Sequence, residues 1–193
     1  FQVANGRPLG NIAQSMEIYN NNGYIVVNNA GKVEIVELPN MKSKGIITGL
    51  KYPRYFKVVN STIGYVSEWV DFVSKGQVKI INLVTNTIID SITLGYGPDR
   101  MLMYGNYVYV LNSGGYGNDS TVSVINTVNN QIVKTIGVGY NPNSIVVDKN
   151  NKMWVLCGGK WKSDWSGLES SGKLVKINLV TNSVERVFDF TSQ

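Results

Sequence analysis

Short runs of alternating apolar and polar residues recur along this chain, and one of them returns with little change. It occupies Val33–Met41, Val78–Asn86, Val122–Asn130 and Leu174–Asn182. The first residues stand at 33, 78, 122 and 174, so the steps are 45, 44 and 52. Alternation with a period of two predicts half-buried β-strands. No useful stretch carries the 3.6-residue period of an amphipathic helix. Upstream of each run lies a second strand with an aromatic at its start: Tyr24–Asn28, Tyr65–Glu68, Tyr109–Asn112 and Trp154–Cys157. Further upstream a third is predicted at Met16–Asn20, Phe56–Asn60, Met101–Gly105 and Ile145–Asp148. A fourth follows each run, at Gly45–Gly49, Ile88–Ile92, Ile132–Ile136 and Val184–Phe188.

The punctuation between strands has a physical basis. Thr85-Asn86, Asn129-Asn130 and Thr181-Asn182 separate alternating runs. Asn tolerates the positive φ that a tight hairpin needs. Asn22-Gly23, Gly105-Asn106 and Asn150-Asn151 are expected to turn the chain between the first two strands of a unit. Pro53, Pro98 and Pro142 precede first strands, where a fixed φ and a missing donor are tolerated.

Four antiparallel strands in a unit of this length predict an all-β fold, a β-propeller of four-stranded antiparallel blades. About four blades fall within residues 1–193, as a single domain with repeats near 15–49, 55–94, 100–138 and 144–190. A single such sheet cannot bury both faces, and packing the next blade against it does.

Composition narrows the function classes. Only 16% of residues are charged against 43% hydrophobic, so Asn, Ser, Thr, Tyr and Gly must cover much of the surface. The net charge of +5 permits an anionic partner. The cluster Lys42, Lys44, Lys51, Arg54 and Lys57 is read as distributed over the faces of one blade. No aromatic–basic RNA-binding motif or helix-turn-helix pattern accompanies it, so no nucleic-acid partner is expected. The chain has no histidine, which removes the commonest general base and metal ligand. Its one cysteine, Cys157, ends an apolar strand and reads as a buried, inert thiol. Neither a nucleophile elbow nor a phosphate-binding glycine loop is present, so no catalytic residue, metal or cofactor is expected.

Val78–Pro98 and Val122–Pro142 resemble the YVTN-type propeller repeat: a strand ending near Asn, a Thr-Asn or Asn-Asn turn, a second strand, then Gly-x-x-Pro. Val175–Phe188 is similar to its first half, and the first repeat departs at Leu38-Pro39-Asn40. The style is similar to YncE-like, surface-layer propeller lipoproteins of Bacteroides-type bacteria. That resemblance implies a secreted protein at the cell surface, outer membrane or periplasm of a Gram-negative bacterium. It implies a corrinoid as one ligand class, with an outer-membrane protein partner. It also implies a ring of seven blades. Phe1-Gln-Val then reads as the last strand of a missing blade, and the chain as part of a longer propeller. A closed four-blade ring and two chains completing one ring are the alternatives. An open arc of four blades is expected to self-associate.

The loops between second and third strands grow along the chain, from 28–31 to 68–76, 112–120 and 158–173. Long loops on one face of a repeat array mark a binding face. They carry Trp69, Asp71, Tyr116, Asp119, Lys160, Trp161, Lys162, Asp164 and Trp165. The links before first strands add Tyr52, Arg54, Tyr96, Asp99, Arg100, Tyr140 and Asn143. The candidate ligand-binding set is Arg54, Trp69, Asp71, Arg100, Tyr116, Asp119, Lys160, Trp161, Asp164 and Trp165. Aromatic rings among polar groups suit a small molecule, a glycan or a protein. The competing structural reading folds the tryptophans back onto blade edges and packs the link tyrosines between blades. The expected function is non-catalytic capture of a small molecule, a corrinoid or glycan. The alternatives are a surface scaffold for protein partners and a quinoprotein-like or lactonase-like enzyme whose catalytic groups lie in other blades.

Overall fold

The computed structural model describes residues 1–191. A short helical turn, α1 (Gln2–Asn5), opens the chain. Four four-stranded antiparallel sheets follow, each a meander in chain order. Sheet 1 holds β1 (Ala13–Tyr19), β2 (Asn22–Val27), β3 (Lys32–Glu37) and β4 (Lys42–Ile47). Sheet 2 holds β5 (Pro53–Val58), β6 (Ile63–Glu68), β7 (Gln77–Asn82) and β8 (Thr87–Thr93). Sheet 3 holds β9 (Pro98–Tyr104), β10 (Tyr107–Asn112), β11 (Thr121–Asn126) and β12 (Gln131–Gly137). Sheet 4 holds β13 (Pro142–Val147), β14 (Met153–Cys157), β17 (Lys173–Asn178) and β18 (Ser183–Asp189). Between β14 and β17 sits a separate hairpin of β15 (Lys160–Trp161) and β16 (Leu168–Ser170), which the alternation did not foretell.

The repeated Asn turns are formed as the sequence predicts. Asn86, Asn130 and Asn182 take φ of 56°, 58° and 50°. Two of them also tie sheets together. The Asn86 side chain lies against Gly45 of sheet 1, and Asn182 Oδ1 accepts a hydrogen bond from the Tyr109 hydroxyl of sheet 3. Two expectations are corrected. The first turn of sheet 1 is made by Asn20 and Asn21, at φ 45° and 60°, while Asn22-Gly23 lies inside β2. Residues following Phe1 form α1 and not a strand, because Asn5 and Arg7 draw the segment onto sheet 1 through side-chain bonds instead of a ladder.

Two compact units can be described, Phe1–Thr93 and the described residues from Leu94 onward. In the first, alternation along β2 splits its apolar residues between two faces. Tyr24 and Val26 pack with Phe56, Val66 and Ile81 of sheet 2. The Tyr24 and Phe56 rings stack with centroids 4.5 Å apart. Ser15 Oγ donates to Arg54 O at 2.7 Å, and Lys57 Nζ pairs with Glu17, locking β1 to β5. On the other face of sheet 1, Ile25, Val27 and Val36 are covered by Phe1 and Leu9 of the N-terminal segment. Asn5 pins that segment by donating to Met41 O and accepting from Ser43 N.

Glu34 lies fully buried beneath this segment. Burial alone would raise its pKa. Arg7, Lys32 and Ser43 hydrogen-bond to it, and together they hold it below the usual carboxylate range.

In the second unit, Tyr109, Leu111, Val122 and Val124 of sheet 3 pack on Met153, Val155, Cys157, Val175 and Ile177 of sheet 4. Each such side chain, fully buried, stabilises the fold by about 1.5–3 kcal/mol. Cys157 is part of this core, and burial pushes its thiol pKa up to about 12. Sheet 4's opposite face bears Trp154 and Phe188, 6.0 Å apart, beside exposed Leu156 and Val146.

Candidate functional site

The second unit contains a groove of about 450 Å³ at the ends of its strands. Two loops and a link build it. The first loop runs from Ser113 to Asn118 and is fixed at both ends. Ser113 donates its N–H and its hydroxyl to Gly97 O, both at 2.9 Å, and the hydroxyl also reaches Asp99 Oδ2 at 3.0 Å. Gly114 N–H donates to Tyr96 O. At the far end Asp119 accepts from Tyr96 N–H at 2.7 Å, from Ser120 N–H and from the Thr121 hydroxyl. Gly97 makes this closure possible: it sits at φ 57°, and a Cβ there would lie 2.1 Å from Gly115 N. Glycine alone meets both demands.

The link contributes Asn141, at φ 55°, whose N–H donates to Asp119 O. The second loop springs from the same link, since Gly158 and Gly159 donate to Asn141 O and Tyr140 O. Its β15–β16 hairpin pairs Lys160 with Ser170 and Trp161 with Leu168. The tip is closed by Lys162 N–H to Gly167 O and Trp165 N–H to Lys162 O, both 3.0 Å. Asp164 caps that tip by accepting from Ser166 N–H, which lowers its pKa.

This frame presents aromatic faces to solvent. Trp161 is 53% exposed, Trp165 76% and Tyr116 79%. The Trp161 and Trp165 rings stand 6.3 Å apart at 35°. Trp165 holds φ 59°, a left-handed conformation that costs a bulky residue roughly 1–2 kcal/mol. Three exposed rings in one groove are unusual for a surface with no partner. Lys160 pairs with Glu169 at 2.7 Å and lies 5.3 Å from the centroid of the Tyr140 ring.

The sequence-predicted residues separate by unit. Tyr116, Lys160, Trp161 and Trp165 line the groove, and Asp119 and Asp164 hold its loops in shape. Arg100 lies exposed on β9 and is not part of the lining. In the first unit Arg54 stacks over the Trp69 ring at 4.2 Å and donates to Gln14 Oε1. Asp71 accepts from Val73 and Ser74 N–H, and these bonds lower its pKa. Link Tyr52 packs on Phe72. These groups serve local structure there. Sequence reasoning missed Ser113, Asn118, Asn141 and Ser163 in the lining. Their only signal was membership of the long loops and the Tyr-Asn-Pro-Asn link, where Asn and Ser read as turn formers.

Among the described residues no His/Cys/Asp/Glu group is arranged to hold a metal ion, and no helix is long and apolar enough to cross a membrane. The family model described as "Domain of unknown function (DUF5074)" matches residues 1–188. No curated protein matches the chain. Solved structures do. Hydrazine synthase of Kuenenia stuttgartiensis superposes with TM-score 0.72 at 18% identity, over 90% of this chain and 47% of that one. The dihydro-heme d1 dehydrogenase NirN, in complex with DHE, gives 0.67 at 11%, over 90% and 37%. The computationally designed Ika8 protein gives 0.65 at 12%, over 90% and 48%. The chain thus spans less than half the length of each. At these identities the likeness shows fold alone: an all-β array of four-stranded antiparallel sheets of propeller type.

Proposed function

The chain belongs to the DUF5074 family, and we propose that it acts by non-catalytic capture of a small molecule in the groove of its second unit. The ligand is a glycan or corrinoid. The protein works as part of a larger YVTN-like propeller at the surface or in the periplasm of a Gram-negative cell. One observation carries this reading: Tyr116, Trp161 and Trp165 are held out to solvent by a network of backbone bonds that buries none of the three. Rings held in place bind with little loss of conformational entropy, and the polar groups around them fix orientation. A ligand with apolar faces and hydroxyl or amide edges fits such a lining.

A second reading has its own support. The face of sheet 4 carries Trp154, Leu156 and Val146, exposed in part beside Lys176 and Arg186, and this mixed surface favours contact with an outer-membrane protein or another copy. Titration calorimetry with a panel of cobamides and oligosaccharides separates the two. Saturable binding that is lost in Trp161→Ala supports capture. No binding across the panel, together with a partner retained by Trp161→Ala, replaces capture with the scaffold reading.

A further inference from the structure

We infer that the groove selects an anionic sugar, a pyranoside carrying a carboxylate or sulfate. This rests on the capture reading above and narrows its ligand. The ionisable groups with acid–base charge along the groove are Lys160 and Lys162, and the lining contains no Asp or Glu. Lys160 is neutralised by Glu169 from outside the lining, at 2.7 Å. Among the described residues Lys162 has no carboxylate within ion-pair distance, although it lines the groove with its backbone fixed by Gly167. The nearest carboxylate in sequence, Asp164, is turned to the Ser166 N–H instead. The site therefore holds one uncompensated positive charge beside three aromatic faces.

The remaining polar groups match a sugar's needs. Asn118 and Asn141 each offer an amide donor and acceptor, and Ser163 offers a hydroxyl. Such groups pair with hydroxyl edges while rings cover the C–H face. A neutral sugar would satisfy this set and leave Lys162 without an anion. A sugar with a negative charge answers all three features at once, by charge-assisted hydrogen bonding.

The test is titration calorimetry at low and at physiological salt with tri-galacturonate, a sulfated galactotriose and neutral galactotriose. The expected result is that one or both anionic trisaccharides bind about five- to tenfold tighter than the neutral one. The carboxylate and sulfate arms identify which charge is read. Added salt should shrink the preference. Lys162→Gln should bring the ratio to about one, and Lys162→Arg should restore it. Equal affinity for charged and neutral sugars in the wild type overturns anionic selection and leaves capture standing. Failure of all three sugars to bind overturns the inference, and binding of a cobamide in that case keeps capture.

Discussion

The loop between second and third strands carries a tryptophan and an aspartate in both sheet 2 and sheet 4, and the two loops put them to opposite uses. In sheet 2 the loop is short. Trp69 follows β6 directly and is drawn under the Arg54 guanidinium, 4.2 Å from its ring, while Asp71 closes a turn on Val73 and Ser74. In sheet 4 the loop is long enough to form its own hairpin. That hairpin satisfies its backbone internally, so Trp161 and Trp165 need not pack on the sheet to hold the loop together. In these two loops the difference lies in backbone hydrogen bonding: the hairpin carries its own, so its rings are left facing solvent, while Trp69 is taken up by Arg54.

The largest effect that can break this contrast is on binding. Replacing both rings of the long loop, Trp161→Ala with Trp165→Ala, is expected to weaken sugar binding by about a hundredfold or more, the range of interface hot spots. The melting temperature should stay within a degree or two. A matching loss of stability would mean the long loop is structural after all. Next comes the short loop. Trp69→Ala should leave groove affinity unchanged and cost about 2 kcal/mol, since partly buried aromatics lie below the usual core range. In a chain of this length that lowers the midpoint by about 4–8 °C in a thermal melt.

Acid gives the smallest effect and sharpens the contrast further. Glu34 has its pKa lowered in the folded state by Arg7, Lys32 and Ser43. A depressed carboxylate contributes stability above its unfolded pKa and loses it as pH falls through the folded value. The N-terminal segment should therefore loosen below the usual glutamate range of about 4. Hydrogen exchange should report it first at Ser43 N–H, which Asn5 holds through its side chain. Glu34→Gln should remove this acid sensitivity.

Much of the fold was legible because its signals are local. The strands of the four-stranded sheets announce themselves by alternation, and the turn asparagines Asn86, Asn130 and Asn182 adopt the positive φ that their residue type permits. What failed depended on long-range partners. Phe1-Gln-Val read as a strand, yet Asn5 to Met41 and Arg7 to Glu34 are contacts across more than twenty residues. Glu34 itself gave no sign of burial, because an acidic residue in an alternating run reads as solvent-facing. The site was half legible for the same reason. Residue type picked out Trp161, Trp165, Tyr116 and Lys160. It could not separate them from Trp69 and Arg54, whose stacking on each other is a tertiary event. Asn118 and Asn141 were hidden by being good turn residues.

The most direct test of capture by the presented rings is tryptophan fluorescence of the wild type titrated with tri-galacturonate, run beside the Trp161→Ala, Trp165→Ala double variant. The account predicts a saturable change in the wild type that disappears in the double variant while the variant's thermal melt is unaltered. A saturable change of the same size and midpoint in both proteins would contradict it.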